Sequence, residues 1–221
     1  MNIPVKEVAS IVQVCFYIVG STIAILTYKS AKKGLLNTVN TEYQKRVMDH
    51  LDELSETLYA EFNPDSDIYW GHRESDHRIE HIVKNTTYEF IEHLKENGDS
   101  KSFDPISIYQ MPDIYKRLYK LIERVKSDPF LPDDISKYVV DYLTKRRELL
   151  LKIVQNKLED LRQTLREEKY SSLDALPIII HNQINQELYK NGIGIEQVET
   201  EVHRIRGLIK EHLKSYNPLK K

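Results

Sequence analysis

The most constraining feature of this sequence is a run of 21 residues without a charged side chain, from Val8 to Tyr28. At 1.5 Å of rise per residue, a helix of this length spans about 31 Å, which matches the hydrocarbon core of a bilayer. The run therefore predicts one transmembrane helix. We assign residues 1–33 to an anchor with its basic flank and residues 34–221 to a separate helical domain.

The charges on either side of this run predict how the anchor is oriented. Lys29, Lys32 and Lys33 follow it, whereas Lys6 and Glu7 precede it and cancel each other. Positive residues beside a membrane span stay on the cytoplasmic side. We therefore expect a single-pass protein of the cell inner membrane, with its N-terminus outside and its C-terminal domain in the cytoplasm.

Two alternatives to a stable anchor remain open. A cleaved signal peptide has an apolar region of about 7–15 residues and a small-residue cleavage site, and it lacks a following lysine cluster. A buried core helix needs apolar neighbours on every side. Both differ from the pattern seen here.

A pair of small residues within the run favours self-association. Gly20 and Ala24 lie one helical turn apart on the same face, which allows two membrane helices to approach closely. We therefore expect the membrane as one partner and further copies of the chain as another.

The remainder of the chain predicts an all-α fold. Only 7 glycines and 8 prolines interrupt long stretches of helix-forming residues. Apolar residues recur every three or four positions, which indicates helices with one buried face. With a break at Gly34, the predicted helices cover residues 43–62, 79–97, 113–127, 134–168, 173–190 and 195–215. We expect them to form a cytoplasmic bundle with one long helix, 134–168.

The bulk composition excludes several classes of protein. The net charge is −2, so the chain is not a general nucleic-acid binder, and the single Cys15 excludes a disulfide framework. No glycine-rich phosphate loop, nucleophile elbow or EF-hand spacing occurs, which disfavours a kinase, a nucleotide-driven motor or a classical hydrolase.

The densest group of reactive side chains lies between residues 70 and 81. His77, Glu80 and His81 match an H-x-x-E-H pattern, in which two histidines bind a metal and the glutamate acts on a metal-bound water. The alternatives are a polar helix N-terminus and a functional patch without metal. The members of that patch are Trp70, His72, Arg73 and Asp76. No cofactor is otherwise expected, and a divalent metal is the open alternative.

A second candidate site lies near the C-terminus. Arg206 and His212 form an R-x5-H arrangement, which resembles the signature of HEPN ribonucleases. That resemblance implies metal-free RNA cleavage by residues paired across a dimer. The structural alternative is a cationic helix end, which is favoured by the helix dipole.

The architecture as a whole resembles a family of bacterial antiviral defence proteins. An N-terminal span, the junction KKGLLNTVNTEYQKR and a helical body that ends in R-x5-H are similar to the membrane accessory protein of type VI CRISPR systems. That resemblance implies a HEPN-like domain, a ring-shaped assembly and a cytosolic protein or RNA partner. We expect a non-enzymatic oligomeric effector or accessory protein that perturbs membranes, and a tethered nuclease or hydrolase and a passive scaffold are the alternatives.

Overall fold

The computed structural model describes residues 5–70, 79–109 and 112–215. Every regular element in these ranges is helical, as the periodicity predicted. The α-helices are α1 (Val5–Tyr59), α2 (Ile79–Asn97), α3 (Asp113–Ser127), α4 (Asp133–Arg166), α5 (Leu176–Lys190) and α6 (Ile195–Ser215), with a short 3₁₀ helix at Ser107–Tyr109. The chain divides into two compact units, Met1–Asp49 and His50–Lys221.

The predicted break at Gly34 is wrong, because α1 continues through it for 55 residues. The polar residues that were expected to cap a new helix bond to the helix backbone instead. The hydroxyl of Thr38 donates to the Gly34 carbonyl at 3.1 Å, and that of Thr41 donates to the Asn37 carbonyl at 2.8 Å. A glycine costs a helix only about 1 kcal/mol, which the good helix formers on either side offset.

The remaining boundaries follow the turn signals closely. At the end of α2, Gly98 has φ 64° and donates its N–H to the Leu94 carbonyl. At the end of α5, Gly192 has φ 77°. Both glycines adopt a left-handed conformation that is strained for residues with a Cβ. Asp113 is the first residue of α3 rather than its cap, since Pro112 occupies the cap position.

Helix α4 is the centre of the second unit, where it contacts α2, α3, α5 and α6. Its apolar stripe is buried from Ile135 to Leu165, so the helix is long because it serves several neighbours. Two details differ from the predicted stripe. Leu150 is buried in place of Leu149, and a charged residue, Arg146, is buried in the middle of it.

The segment between α2 and the 3₁₀ helix is fixed against the end of α4. Ser100 donates its hydroxyl to the Arg166 carbonyl at 3.1 Å, and Arg166 donates its Nε–H to the Phe103 carbonyl at 2.6 Å. The Phe103 ring is 2% exposed and packs edge-on against Phe90, with ring centroids 5.0 Å apart. This segment therefore belongs to the core of the second unit.

Candidate functional site

The predicted anchor lies within the first unit as a helix whose apolar side chains have no cover from the rest of the chain. Its large apolar residues between Val12 and Leu26 are 55–75% exposed. Among the described helices, α1 alone is long and apolar enough to cross a membrane, by length and composition. A core helix of a soluble domain would bury such a surface, and this helix buries none of it.

The polar residues within this run have partners on their own helix. Ser21 donates its hydroxyl to the Tyr17 carbonyl at 2.6 Å, and Thr22 donates to the Ile18 carbonyl at 2.8 Å. The amide of Gln13 lies 3.3 Å from the Tyr17 hydroxyl. Because these groups are already bonded, they cost less in an apolar solvent than free hydroxyls would.

The residues assigned to orientation and self-association are also open. Lys29, Lys32 and Lys33 are exposed on the turns of α1 that follow the apolar run. Gly20 and Ala24 are exposed one turn apart, and a Cβ added at Gly20 would meet nothing within 4 Å. No part of the described chain therefore occupies this face.

The predicted catalytic arginine is held by the end of α1. Arg206 donates its Nε–H to the Ser55 hydroxyl at 2.9 Å and pairs through Nη2 with the Glu56 carboxylate at 3.1 Å. Its guanidinium also lies 4.4 Å from the centroid of the Tyr59 ring. These three contacts connect α6 to α1, and they give Arg206 a structural role.

The structure does not bring Arg206 and His212 together within one chain. Both lie on α6, and six residues of α-helix separate them by about 9 Å along the axis and about 120° around it. A site made from this pair would require residues of a second chain.

The predicted metal and patch residues fall largely outside the described part of the chain. His72, Arg73, Asp76 and His77 lie in the range 71–78, and the Glu80 side chain is not described. His81 is partly buried on the first turn of α2. Among the described residues, no three His, Cys, Asp or Glu side chains lie close enough to hold a metal.

The aromatic member of the patch is described and lies next to a buried ion pair. Trp70 is 53% exposed and donates its N–H to the Glu61 carbonyl at 2.9 Å. The Glu61 side chain turns inward and accepts a hydrogen bond from Arg146 Nη2 at 2.7 Å. The side chains of Glu61 and Arg146 are only 14% and 9% exposed. The segment that leads to Trp70 is therefore fixed to α4 by a charged pair.

The Glu61–Arg146 pair shapes the chemistry of its neighbours. Burial works against the charge of Arg146, but the adjacent Glu61 carboxylate outweighs it and raises the pKa of the guanidinium. Burial also raises the pKa of Tyr142 to about 12. The Tyr142 hydroxyl has no hydrogen-bond partner among the described residues. With this pKa it stays protonated near neutral pH, so it cannot serve as a base.

This cluster escaped the sequence analysis, although one signal was available. Arg146 lies three residues after Leu143 and four before Leu150, so it occupies a regular position of the buried stripe of α4. A charged residue in such a position requires a partner. The partner, Glu61, is 85 residues distant in the chain, and local periodicity cannot identify it.

A second polar pair closes the turn between α3 and α4. His50 Nδ1 lies 2.7 Å from Asp128 Oδ2, and the Phe130 N–H donates to the other carboxylate oxygen at 2.9 Å. Burial alone would raise the pKa of Asp128, but these hydrogen bonds and the charge of Arg124 lower it overall. The adjoining cavity measures about 10 Å³, which is the size of about one water molecule. It cannot hold a substrate.

Comparison with known proteins returned no family model, no curated protein and no solved structure that matches this chain.

Proposed function

We propose that this protein is a single-pass membrane protein whose helical body is held at the cytoplasmic face and docks a partner there. The observation that carries the proposal is the uncovered apolar surface of α1 between Val12 and Tyr28. In water this surface would be a large aggregation site, whereas in a bilayer it is matched by lipid. The lysines that follow support the cytoplasmic orientation.

The face of α1 that contains Gly20 and Ala24 supports self-association as part of this function. Small residues recur along it with alternating steps of four and three, which is the spacing of a helix–helix seam. The members of this small-residue seam are Gly20, Ala24, Thr27, Ala31, Gly34 and Thr38. In the same heptad, Lys29, Lys32 and Lys33 take the outer positions. Like charges are therefore kept apart when two copies pack through the seam.

The engagement of Arg206 supports a non-enzymatic role. Its guanidinium is already shared between Ser55, Glu56 and Tyr59, so a role in cleavage would require these contacts to be given up. On this proposal the protein acts by assembly and partner binding. A place in antiviral defence, with membrane perturbation on assembly, extends the proposal along the family resemblance.

Particle mass in detergent tests the assembly. We expect the purified chain to have a protein mass that is a multiple of 26.1 kDa. The double variant Gly20→Ile/Ala24→Ile should be a monomer, because branched side chains block close approach. The matched control is Cys15→Ile/Thr22→Ile, which adds bulk to the opposite face of the same helix. A monomeric wild-type chain, or equal effects of the two double variants, would contradict self-association through the seam.

A further inference from the structure

The outward face of α3 concentrates positive charge on a chain whose net charge is negative. Its 15 residues include five basic and two acidic side chains, whereas the whole chain has a net charge of −2. The apolar side of α3 is buried in the body through Leu118, Ile122 and Val125. The basic side is therefore the one presented to solvent.

Three of the five cations are already paired within the chain. The pairs are Lys116 with Asp113 at 3.3 Å, Lys126 with Glu123 at 3.3 Å, and Arg124 with Glu53. Arg117 and Lys120 are exposed on the same helix and form no ion pair with the described residues. Their charges are available to a partner.

An ordered aromatic group borders these two cations. The guanidinium of Arg147, on α4, lies 5.7 Å from the Tyr115 ring centroid and 5.6 Å from that of Tyr119. Cation–π contacts of this kind restrain both tyrosine rings. Tyr119 remains 51% exposed. Arg147 forms no ion pair with the described residues either, so its charge adds to those of Arg117 and Lys120.

We propose that Arg117, Tyr119, Lys120 and Arg147 form a docking surface for an acidic segment of a cytosolic partner protein. Tyrosine and arginine are the residues that dominate protein interfaces, and the unpaired cations complement glutamate or aspartate side chains. A nucleic acid fits less well, because it needs a longer basic track than three free cations on a chain of pI 6.5. The inference rests on the partner docking of the proposed function.

Peptide binding to the full-length chain tests the surface. The probe is a fluorescein-labelled peptide rich in glutamate and leucine, titrated with protein in uncharged detergent micelles and followed by anisotropy. Arg117→Ala/Lys120→Ala should weaken binding by about tenfold. The matched control, Lys116→Ala/Lys126→Ala, removes the same charge from paired positions and should change the Kd by less than about threefold. Tyr119→Ala should also weaken binding, which a purely diffuse attraction would not explain.

Several outcomes would overturn the docking surface. These are the absence of peptide binding, equal weakening by the two double variants, and tighter binding of a single-stranded oligonucleotide or of anionic vesicles than of the peptide. All substituted side chains except Tyr119 are charged and exposed, and the circular dichroism of each variant shows whether its helix content is kept. None of these outcomes affects the particle mass in detergent, so failure of this surface is distinguishable from failure of the assembly.

Discussion

The buried Glu61–Arg146 pair should be strongly coupled, although each half alone opposes folding. Replacing one partner leaves the other charge buried without compensation, which costs about 3–5 kcal/mol. Both side chains are less than 15% exposed (14% and 9%), so solvent can restore little of this loss. We expect Arg146→Met to lower the free energy of unfolding by about 3 kcal/mol, and Glu61→Leu to lower it by a similar or larger amount.

The double variant should recover most of this stability. With both charges removed, the site contains two apolar side chains of similar volume, and such replacements are often neutral or stabilising. The coupling energy from the double-mutant cycle should therefore be about 3 kcal/mol. The assay is urea unfolding of the full-length chain in nonionic detergent, followed by circular dichroism at 222 nm, roughly the wavelength of the helical band of an all-α chain.

An exposed pair in the same chain provides the control for this cycle. Lys190 and Glu187 are 2.8 Å apart, but their side chains are 67% and 35% exposed. The cycle of Lys190→Met and Glu187→Leu should give a coupling below about 1 kcal/mol. A coupling at Glu61–Arg146 no larger than this control would refute the argument that burial makes the pair strong.

Three further predictions concern single positions. Tyr142→Phe should stabilise the chain by about 1 kcal/mol, because it removes a buried hydroxyl without a partner, and it should reduce the loss of stability of the wild type as the pH rises from 10.0 to about 12; equal alkaline profiles would contradict this. Asp128→Asn should cost about 1–2 kcal/mol at pH 7 through the lost bond to His50, and because the Asp128 pKa is lowered, the difference from the wild type should narrow below pH 3.8; a gap independent of pH would exclude that cause. Gly192→Ala should lower the thermal midpoint by about 2–4 °C, since φ 77° costs a residue with a Cβ about 1 kcal/mol, whereas Gly207→Ala, in the middle of α6, should not lower it.

Much of the fold could be predicted because its signals are local. Turn residues such as Gly98 and the Asp128–Pro129 pair end helices by their own backbone preferences, and the apolar period identifies the faces that pack. The break at Gly34 was predicted wrongly because a glycine and several polar residues look the same in sequence whether they cap a helix or lie within one. The choice depended on Thr38 and Thr41, whose hydroxyls bond to carbonyls one turn back.

The candidate sites were harder to predict, since their geometry depends on residues far apart in sequence. The motif of Arg206 and His212 was visible, but the contacts of Arg206 with Ser55 and Glu56 cross about 150 residues, with separations of 151 and 150. The partner of Arg146 was invisible for the same reason. A motif specifies which residue types are present, and only the tertiary fold decides which of their atoms are already engaged.

The measurement that tests the central claim most directly is cysteine accessibility across the membrane. In a Cys15→Ser background, Asn2→Cys and Gln183→Cys provide one thiol each, the first before the apolar run and the second exposed on α5. An anchor with its N-terminus outside predicts that a membrane-impermeant maleimide labels residue 2 in intact spheroplasts and residue 183 only after permeabilisation. Labelling of both residues in intact spheroplasts, the reverse pattern, or recovery of the protein in the soluble fraction would contradict the account.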